Sequence, residues 1–340
     1  MLGSNDSHVV AASSSRGREP TELVCSMEQT SSPQAVLPPQ PARSRPRLPE
    51  WLRVNLPVVQ VQRTYNRTAG AVQQGALHTV CQEAHCPNIH DCWARGTATF
   101  MIAGKSCTRG CRFCAVETLR QPEPLDADEP ERLAAAVAAM KLAHVVVTVV
   151  NRDDLADGGA QHYRRCVEAI HQKMPRTTIE LLSSDLAGNW EALAGLLHGI
   201  PLGVFAHNVE CVARLDAEVR DPRASFSLSL EVLRRAKQLR PDLFTKSSLM
   251  VGLGETDDEV VEAMRRLRGA QVDLLTLGQY LAPGKPGTRY LAVQRYVHPD
   301  QFRLWADEAR GFGFRAVASG PLVRSSYQAG PLLSAARSDA

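Results

Sequence analysis

The chain of 340 residues carries 39 Lys plus Arg against 36 Asp plus Glu, with 44% hydrophobic and 22% charged residues. A formal net charge of +3 argues against bulk electrostatic capture of nucleic acid or an anionic membrane, and the apolar content excludes a mostly disordered chain. The best apolar run, 143–150, stops at Asn151, short of the roughly 18 to 20 residues that a bilayer-spanning helix needs, so neither nucleic acid nor membrane is an expected partner.

Residues 1–48 are rich in Ser and Pro and show no apolar periodicity, which predicts a disordered tail. Arg16, Arg18, Arg43, Arg45 and Arg47 raise a mitochondrial or plastid transit peptide as the rival reading. Asp6, Glu19, Glu22 and Glu28 run against its acid-poor pattern, and the expectation is a cytoplasmic protein. Trp51, Leu52, Val54, Leu56, Val58 and Val59 form an anchoring segment that opens an N-terminal extension over 49–96.

Beyond it, strand-like runs at 97–103, 144–150, 178–182, 203–205, 246–251 and 274–277 alternate with helical patterns at 129–141, 161–173, 190–197, 228–239 and 258–268. This alternation predicts an α/β fold with a parallel sheet, open or closed into a partial barrel, and ligands at the C-terminal ends of the strands. Thr256 and Glu259 have capping-box spacing and mark the start of the last of these helices. Gly252 and Gly254 lack the third glycine of a dinucleotide fingerprint, since 257 is Asp257. Gly104-Lys105-Ser106 lacks the P-loop glycine, since 99 is Thr99.

Six of the nine cysteines fall between Cys81 and Cys114, a local cluster that favours metal ligation over a disulfide framework. They form two trios: Cys81, Cys86 and Cys92, then Cys107, Cys111 and Cys114. Three soft thiolates suit zinc or an iron-sulfur cluster, with a fourth group recruited from elsewhere or one metal position left open. His85 and His90 are better read as loop histidines than as ligands. Cys166 and Cys211 read as buried thiols, and Cys25 has no assigned role.

The second trio, Cys107-Thr-Arg-Gly-Cys111-Arg-Phe-Cys114, follows a predicted strand and resembles the signature of radical S-adenosylmethionine enzymes. The strings 80–93, 96–102, 152–160, 249–255, 275–281, 294–296 and 320–327 (Gly-Pro-Leu-Val-Arg-Ser-Ser-Tyr) narrow the likeness: from about Trp51 to Tyr327 the chain resembles the lipoyl synthase family.

That resemblance implies a partial (β/α)6 barrel of the radical S-adenosylmethionine type over 97–298, a C-terminal extension over 299–327 and a flexible tail over 328–340. It implies a 4Fe-4S cluster on Cys107, Cys111 and Cys114 whose fourth iron is chelated by S-adenosylmethionine. An auxiliary 4Fe-4S cluster is implied on Cys81, Cys86 and Cys92, with Ser326, or Ser325 as the alternative, as fourth ligand. Its sulfides are consumed at C6 and C8 of an octanoyl chain, with two S-adenosylmethionine molecules used per lipoyl group. The implied partners are octanoylated lipoyl domains of 2-oxoacid dehydrogenase complexes, the H protein of the glycine cleavage system, and an electron donor such as ferredoxin or flavodoxin.

Lys246, Glu255 and Asn208 lie at strand ends and are candidates to contact S-adenosylmethionine, and Arg324 is a candidate to hold its loop against cluster or substrate charge. Asp153 and Asp154 could orient a ribose or cap a helix. Three departures from the family pattern, Asn151, Ala206 and Ser248, are expected to face or neighbour the cofactor. The rival readings are a sulfur-inserting enzyme of the biotin synthase kind and a zinc-stabilised binding module.

Overall fold

The computed structural model describes residues 48–53, 62–95, 97–285 and 288–338. The expected disordered tail, apart from Leu48, and the anchor residues Val54, Leu56, Val58 and Val59 lie outside the described residues.

Helix α1 (Gln62–Gln74) leads into β1 (His78–Thr79), α2 (Val80–Glu83) and α3 (Ile89–Ala94), with Cys81 in α2, Cys86 in the turn between the two helices and Cys92 in α3. Strand β2 (Thr99–Ile102) follows. A two-stranded parallel ribbon, β3 (Ser106–Cys107) with β4 (Glu117–Thr118), then flanks the second trio. The repeating part runs α4 (Glu129–Met140), β5 (His144–Val149), α5 (Ala160–Lys173), β6 (Thr178–Leu182), α6 (Trp190–Leu197) and β7 (Val204–Ala206). It continues α7 (Asp216–Val219), α8 (Phe226–Leu239), β8 (Phe244–Val251), α9 (Asp257–Gly269) and β9 (Leu274–Gln279). The chain closes with α10 (Pro299–Gly311), β10 (Ala316–Gly320) and α11 (Ala329–Ser338).

The main sheet has eight strands in the order β1-β2-β5-β6-β7-β8-β9-β10. All its pairings are parallel except β1 with β2, where His78 faces Met101. The six predicted strands form the consecutive middle of this sheet, as an open (β/α) barrel requires. Strand period explains its two faces. Val145 and Val147 of β5 and Ile179 and Leu181 of β6 pack in the apolar core with α4 and α5, whereas Val146, Thr148, Thr178 and Leu182 line an internal cavity. The capping box of α9 forms as predicted, with the Thr256 side chain on the Glu259 N–H and the Glu259 carboxylate on the Thr256 N–H.

The segment expected to be a flexible tail at 328–340 is instead helical over α11. Leu332, Leu333 and Ala336 recur at helical spacing and are buried against Val204, Leu274 and Ala316, so ordering this turn of chain is offset by apolar burial. Gly278 in β9 decides where the preceding segment runs. A Cβ there would sit 2.1 Å from the Val323 carbonyl oxygen, so only glycine lets residues 320–327 cross β9 this closely.

Candidate functional site

One cavity of about 1130 Å³ runs along the barrel, from His144 and Thr178 at the strand starts to Asn151 and Gln279 at the strand ends, and all six trio cysteines line it. Asn151, Asn208, Glu210, Ser248, Arg324, Ser325 and Ser326 share the lining. No disulfide joins any of the cysteines among the described residues. Burial pushes the Cys92 and Cys114 thiols up to about 12 and Cys111 to about 11, so neutral thiols are the resting form unless a metal cation replaces the proton.

The second trio sits on a loop gripped from three strand ends. Arg109, between the first two cysteines, is a buried guanidinium that pairs with Asp153 at 2.7 Å and with Asp185 at 2.6 Å, residues that follow β5 and β6. Burial works against the Arg109 charge, but the two carboxylates more than offset it and hold its pKa above the ordinary arginine value. Beyond β7, Asp221 accepts the Gly110 N–H at 2.9 Å, and Arg223 donates to the Thr108 carbonyl at 2.7 Å. Two backbone N–H groups already point at sulfur: Arg109 N to Cys107 Sγ at 3.4 Å and Asp221 N to Cys111 Sγ at 3.3 Å. Donors aimed at thiol sulfur suit thiolates that ligate a metal.

The first trio is reached from the far end of the chain. Thr99, the first residue of β2, donates to Ser326 Oγ at 2.8 Å and lies beside the Cys81 thiol, where it opposes the rise that burial gives that group's pKa. Asn88 donates to the Leu322 carbonyl at 2.6 Å, which ties the cysteine-bearing extension to the C-terminal segment a second time. The Trp93 indole N–H is buried without a conventional partner and lies beside the Cys81 sulfur, close enough to lower that thiol's pKa against the larger effect of burial. A thiolate at Cys81 gives this orphaned donor its acceptor. The residues therefore fit a thiolate-bound cluster with a serine oxygen within its circle. His85 lines the cavity, whereas His90 stacks on Tyr65 with ring centroids 5.4 Å apart.

The three residues expected at S-adenosylmethionine divide. Asn208 lines the cavity and donates to Glu210 Oε1 at 3.1 Å. Lys246 does not line it: its ammonium is buried against Glu180 at 2.7 Å inside the barrel, with His144 3.6 Å from the same carboxylate. Glu255 accepts the backbone N–H groups of Gly252 and Leu253 at 2.6 and 2.9 Å and so closes the turn after β8 rather than facing the cavity. Glu255 lies just past the end of β8, whereas Lys246 is the third residue of that strand, which begins at Phe244, and both charges already have protein partners.

Asp153 belongs to the Arg109 pairing, and Asp154 accepts two hydrogen bonds from Arg152. Asp157 accepts the Gly159 N–H, the turn that its Gly-Gly neighbours suggest. Cys166 and Cys211 are buried, as expected. Of the three departures, Asn151 and Ser248 line the cavity and Ala206 is buried away from it. Arg324 lines the cavity with no carboxylate partner among the described residues.

Glu210 was missed from the sequence. It holds a left-handed φ of +67° just beyond β7, lines the cavity, and has its carboxyl pKa raised by burial. A carboxylate inside the apolar run Val209-Glu-Cys-Val212 was the available signal.

A family profile described as the Radical SAM superfamily matches residues 101–267. The protein named "Lipoyl synthase, mitochondrial" of Aspergillus fumigatus is 50% identical over 289 residues, covering 84% of this chain and 68% of that one. Its namesake in Bos taurus is 48% identical over 292 residues, covering 84% of this chain and 76% of that one.

Proposed function

The chain belongs to the lipoyl synthase family, and on that premise we propose that a single cavity joins the two halves of the family's reaction. That reaction is radical-mediated insertion of two sulfur atoms at C6 and C8 of an octanoyl chain carried on a lysine of a lipoyl domain. Its cofactors are two 4Fe-4S clusters and S-adenosylmethionine. Cys107, Cys111 and Cys114 hold the radical cluster, and Cys81, Cys86 and Cys92 with Ser326 hold the auxiliary one. When bound, the first supplies the electron that splits S-adenosylmethionine into a carbon radical, and the second supplies sulfide.

The observation that carries this reading is that all six thiols line the same cavity, next to the C-terminal serine pair. Methylene and methyl C–H bonds have no acidity for a side-chain base to exploit, so the protein's work is placement and exclusion of water. Arg109, Asp153 and Asp185 fix the loop of the second trio from behind. Asn208 and Glu210 form an acceptor-rich wall suited to the amino group of S-adenosylmethionine. Ser326 is favoured over Ser325 as ligand because its hydroxyl shares Thr99 with Cys81. Arg324 offers an unpaired cation to the cluster or to the substrate's amide carbonyl.

Lipoyl domains are the substrate-bearing partners. Those of 2-oxoacid dehydrogenase complexes and the glycine cleavage H protein are the proposed ones, with a ferredoxin or flavodoxin as electron donor. For location we favour the mitochondrion over the cytoplasm, because the relatives are named mitochondrial. Incubation of the anaerobically reconstituted protein with an octanoylated lipoyl domain, S-adenosylmethionine and reductant tests the function. The domain should gain two sulfur atoms by intact mass, and an unchanged mass overturns it.

A further inference from the structure

Ala103, buried at the end of β2, holds φ +69°, and Gly104 follows at +97°. A left-handed alanine is disfavoured unless its surroundings impose it. Here the peptide groups of Ala103 are held from both sides. Its N–H donates to Glu129 Oε2 at 2.8 Å, and its carbonyl accepts from Arg152 Nη1 at 3.2 Å. Glu129 opens α4 and Arg152 follows β5, so two separate crossovers meet on one residue of the strand end.

The Glu129 carboxylate is itself fixed. His162 of α5 lies with Nε2 2.5 Å from the same Oε2, and Arg165 approaches His162 Nδ1 at 3.3 Å. A guanidinium can only donate, so Nδ1 is the acceptor and the imidazole proton sits on Nε2, directed at Glu129. Arg152 is anchored by Asp154 through two bonds of 2.8 and 2.7 Å. None of these side chains lines the cavity, yet the residue they hold lies four positions before Cys107. The turn at 103–104 sets where β3, and with it the first thiol of the trio, leaves the barrel rim.

We propose that Glu129, backed by His162 and opposed by Arg152, is a positioning residue for the radical cluster: it imposes the left-handed turn at Ala103 and thereby fixes the Cys107 thiolate relative to S-adenosylmethionine. This rests on the assignment of that cluster to Cys107, Cys111 and Cys114. A competing use of the same groups is a divalent metal site, since Glu129, His162 and Cys166 place one ligand atom each within 4.8 Å of one another. Against it, both imidazole nitrogens and the Glu129 oxygen already have protein partners.

The test uses the reconstituted full chain with both clusters, reduced with dithionite, and reads the change in the radical cluster's EPR signal on adding S-adenosylmethionine. Glu129→Gln should lose or broaden that change and form about tenfold less product per S-adenosylmethionine cleaved, a size expected for slight misplacement of a reacting group. Adding Ala103→Gly to Glu129→Gln should restore both readouts, because glycine adopts the turn without being forced. A role in core stability alone is not rescued at position 103. His162→Gln, which leaves the carboxylate in place, should shift the signal in the same direction and decides the matter if Glu129→Gln does not fold.

An unaltered EPR response in Glu129→Gln, a failure of Ala103→Gly to rescue it, or stoichiometric zinc lost on His162→Gln overturns the proposal. Absence of any response in the unaltered protein would instead overturn the cluster assignment beneath it.

Discussion

Thr99 and Ser326 are 227 residues apart in sequence, and the Thr99 hydroxyl donates to the Ser326 hydroxyl at 2.8 Å. Because Thr99 also lies beside the Cys81 thiol and acts on its pKa, this residue at the start of β2 registers the C-terminal serine against the first cysteine trio. Thr99→Val keeps the shape and removes the bond, worth about 1 kcal/mol. Its auxiliary cluster should lose iron several-fold faster under a chelator, with the radical cluster's EPR signal unchanged. Equal loss rates in variant and parent remove Ser326 from the ligand set.

The two trios should separate on mutation. Replacing Cys111 with Ala should abolish 5′-deoxyadenosine formation, whereas replacing Cys86 with Ala should leave that cleavage measurable and abolish sulfur insertion. Each variant should retain about half of the roughly eight irons expected of two 4Fe-4S clusters. Iron analysis, with chromatography of the nucleoside, checks both. Cleavage surviving in Cys111→Ala would contradict the assignment.

Glu210 and Asn208 are expected to act on binding more than on chemistry. Glu210→Gln removes a carboxylate from the cavity wall and should raise the KM for S-adenosylmethionine by roughly tenfold, the weight of one charge-assisted hydrogen bond, with a smaller change in kcat. Lys246→Met should leave that KM unchanged. It strands Glu180 in the barrel interior, so it should destabilise the fold by about 3 to 5 kcal/mol and lower the thermal midpoint by roughly 10 °C. A raised KM without loss of stability in Lys246→Met would return Lys246 to the cofactor site.

His207 carries a pH signature. Buried and bonded to the Ser183 carbonyl and Ser229 hydroxyl at 2.9 Å each, it has its pKa pushed down to about 4 by burial. Between about pH 6.5 and 4 the unfolded chain takes up a proton that the native chain refuses. Stability therefore falls as pH falls through that window, by at most about 3 kcal/mol from this group. Denaturant titrations of His207→Gln should show a shallower loss across the window, and an identical slope rejects the account.

Much of the barrel was legible because each of its strands holds a short, largely apolar run bounded by a helix with its own signal. The observed β6 and α6 coincide with the predicted spans, and α9 begins at a capping box readable from Thr256 and Glu259 alone. The cysteine trios were legible because thiol spacing is local. What escaped was non-local or weakly patterned. Strand β10 holds Ala-Val-Ala-Ser-Gly, too small and mixed to stand out, and exists because β9 offers it an edge. Helix α11 holds Gly330 and Pro331 in its first turn, a turn signal overridden by the burial of Leu332 and Leu333. At Lys246 and Glu255 a charge was read as facing a ligand, but β8 begins two residues before Lys246, and the partners Glu180 and the Gly252 turn lie on other elements or in the backbone, where spacing along the chain is silent.

The central claim is that one cavity joins a cluster that generates a radical to a cluster that gives up its sulfur. The direct test is a single turnover in which the protein, reconstituted with heavy-isotope sulfide and freed of excess, converts an octanoylated lipoyl domain in unlabelled buffer. The product domain should carry two heavy sulfur atoms by intact mass. Product bearing only sulfur of natural isotopic mass would contradict the claim.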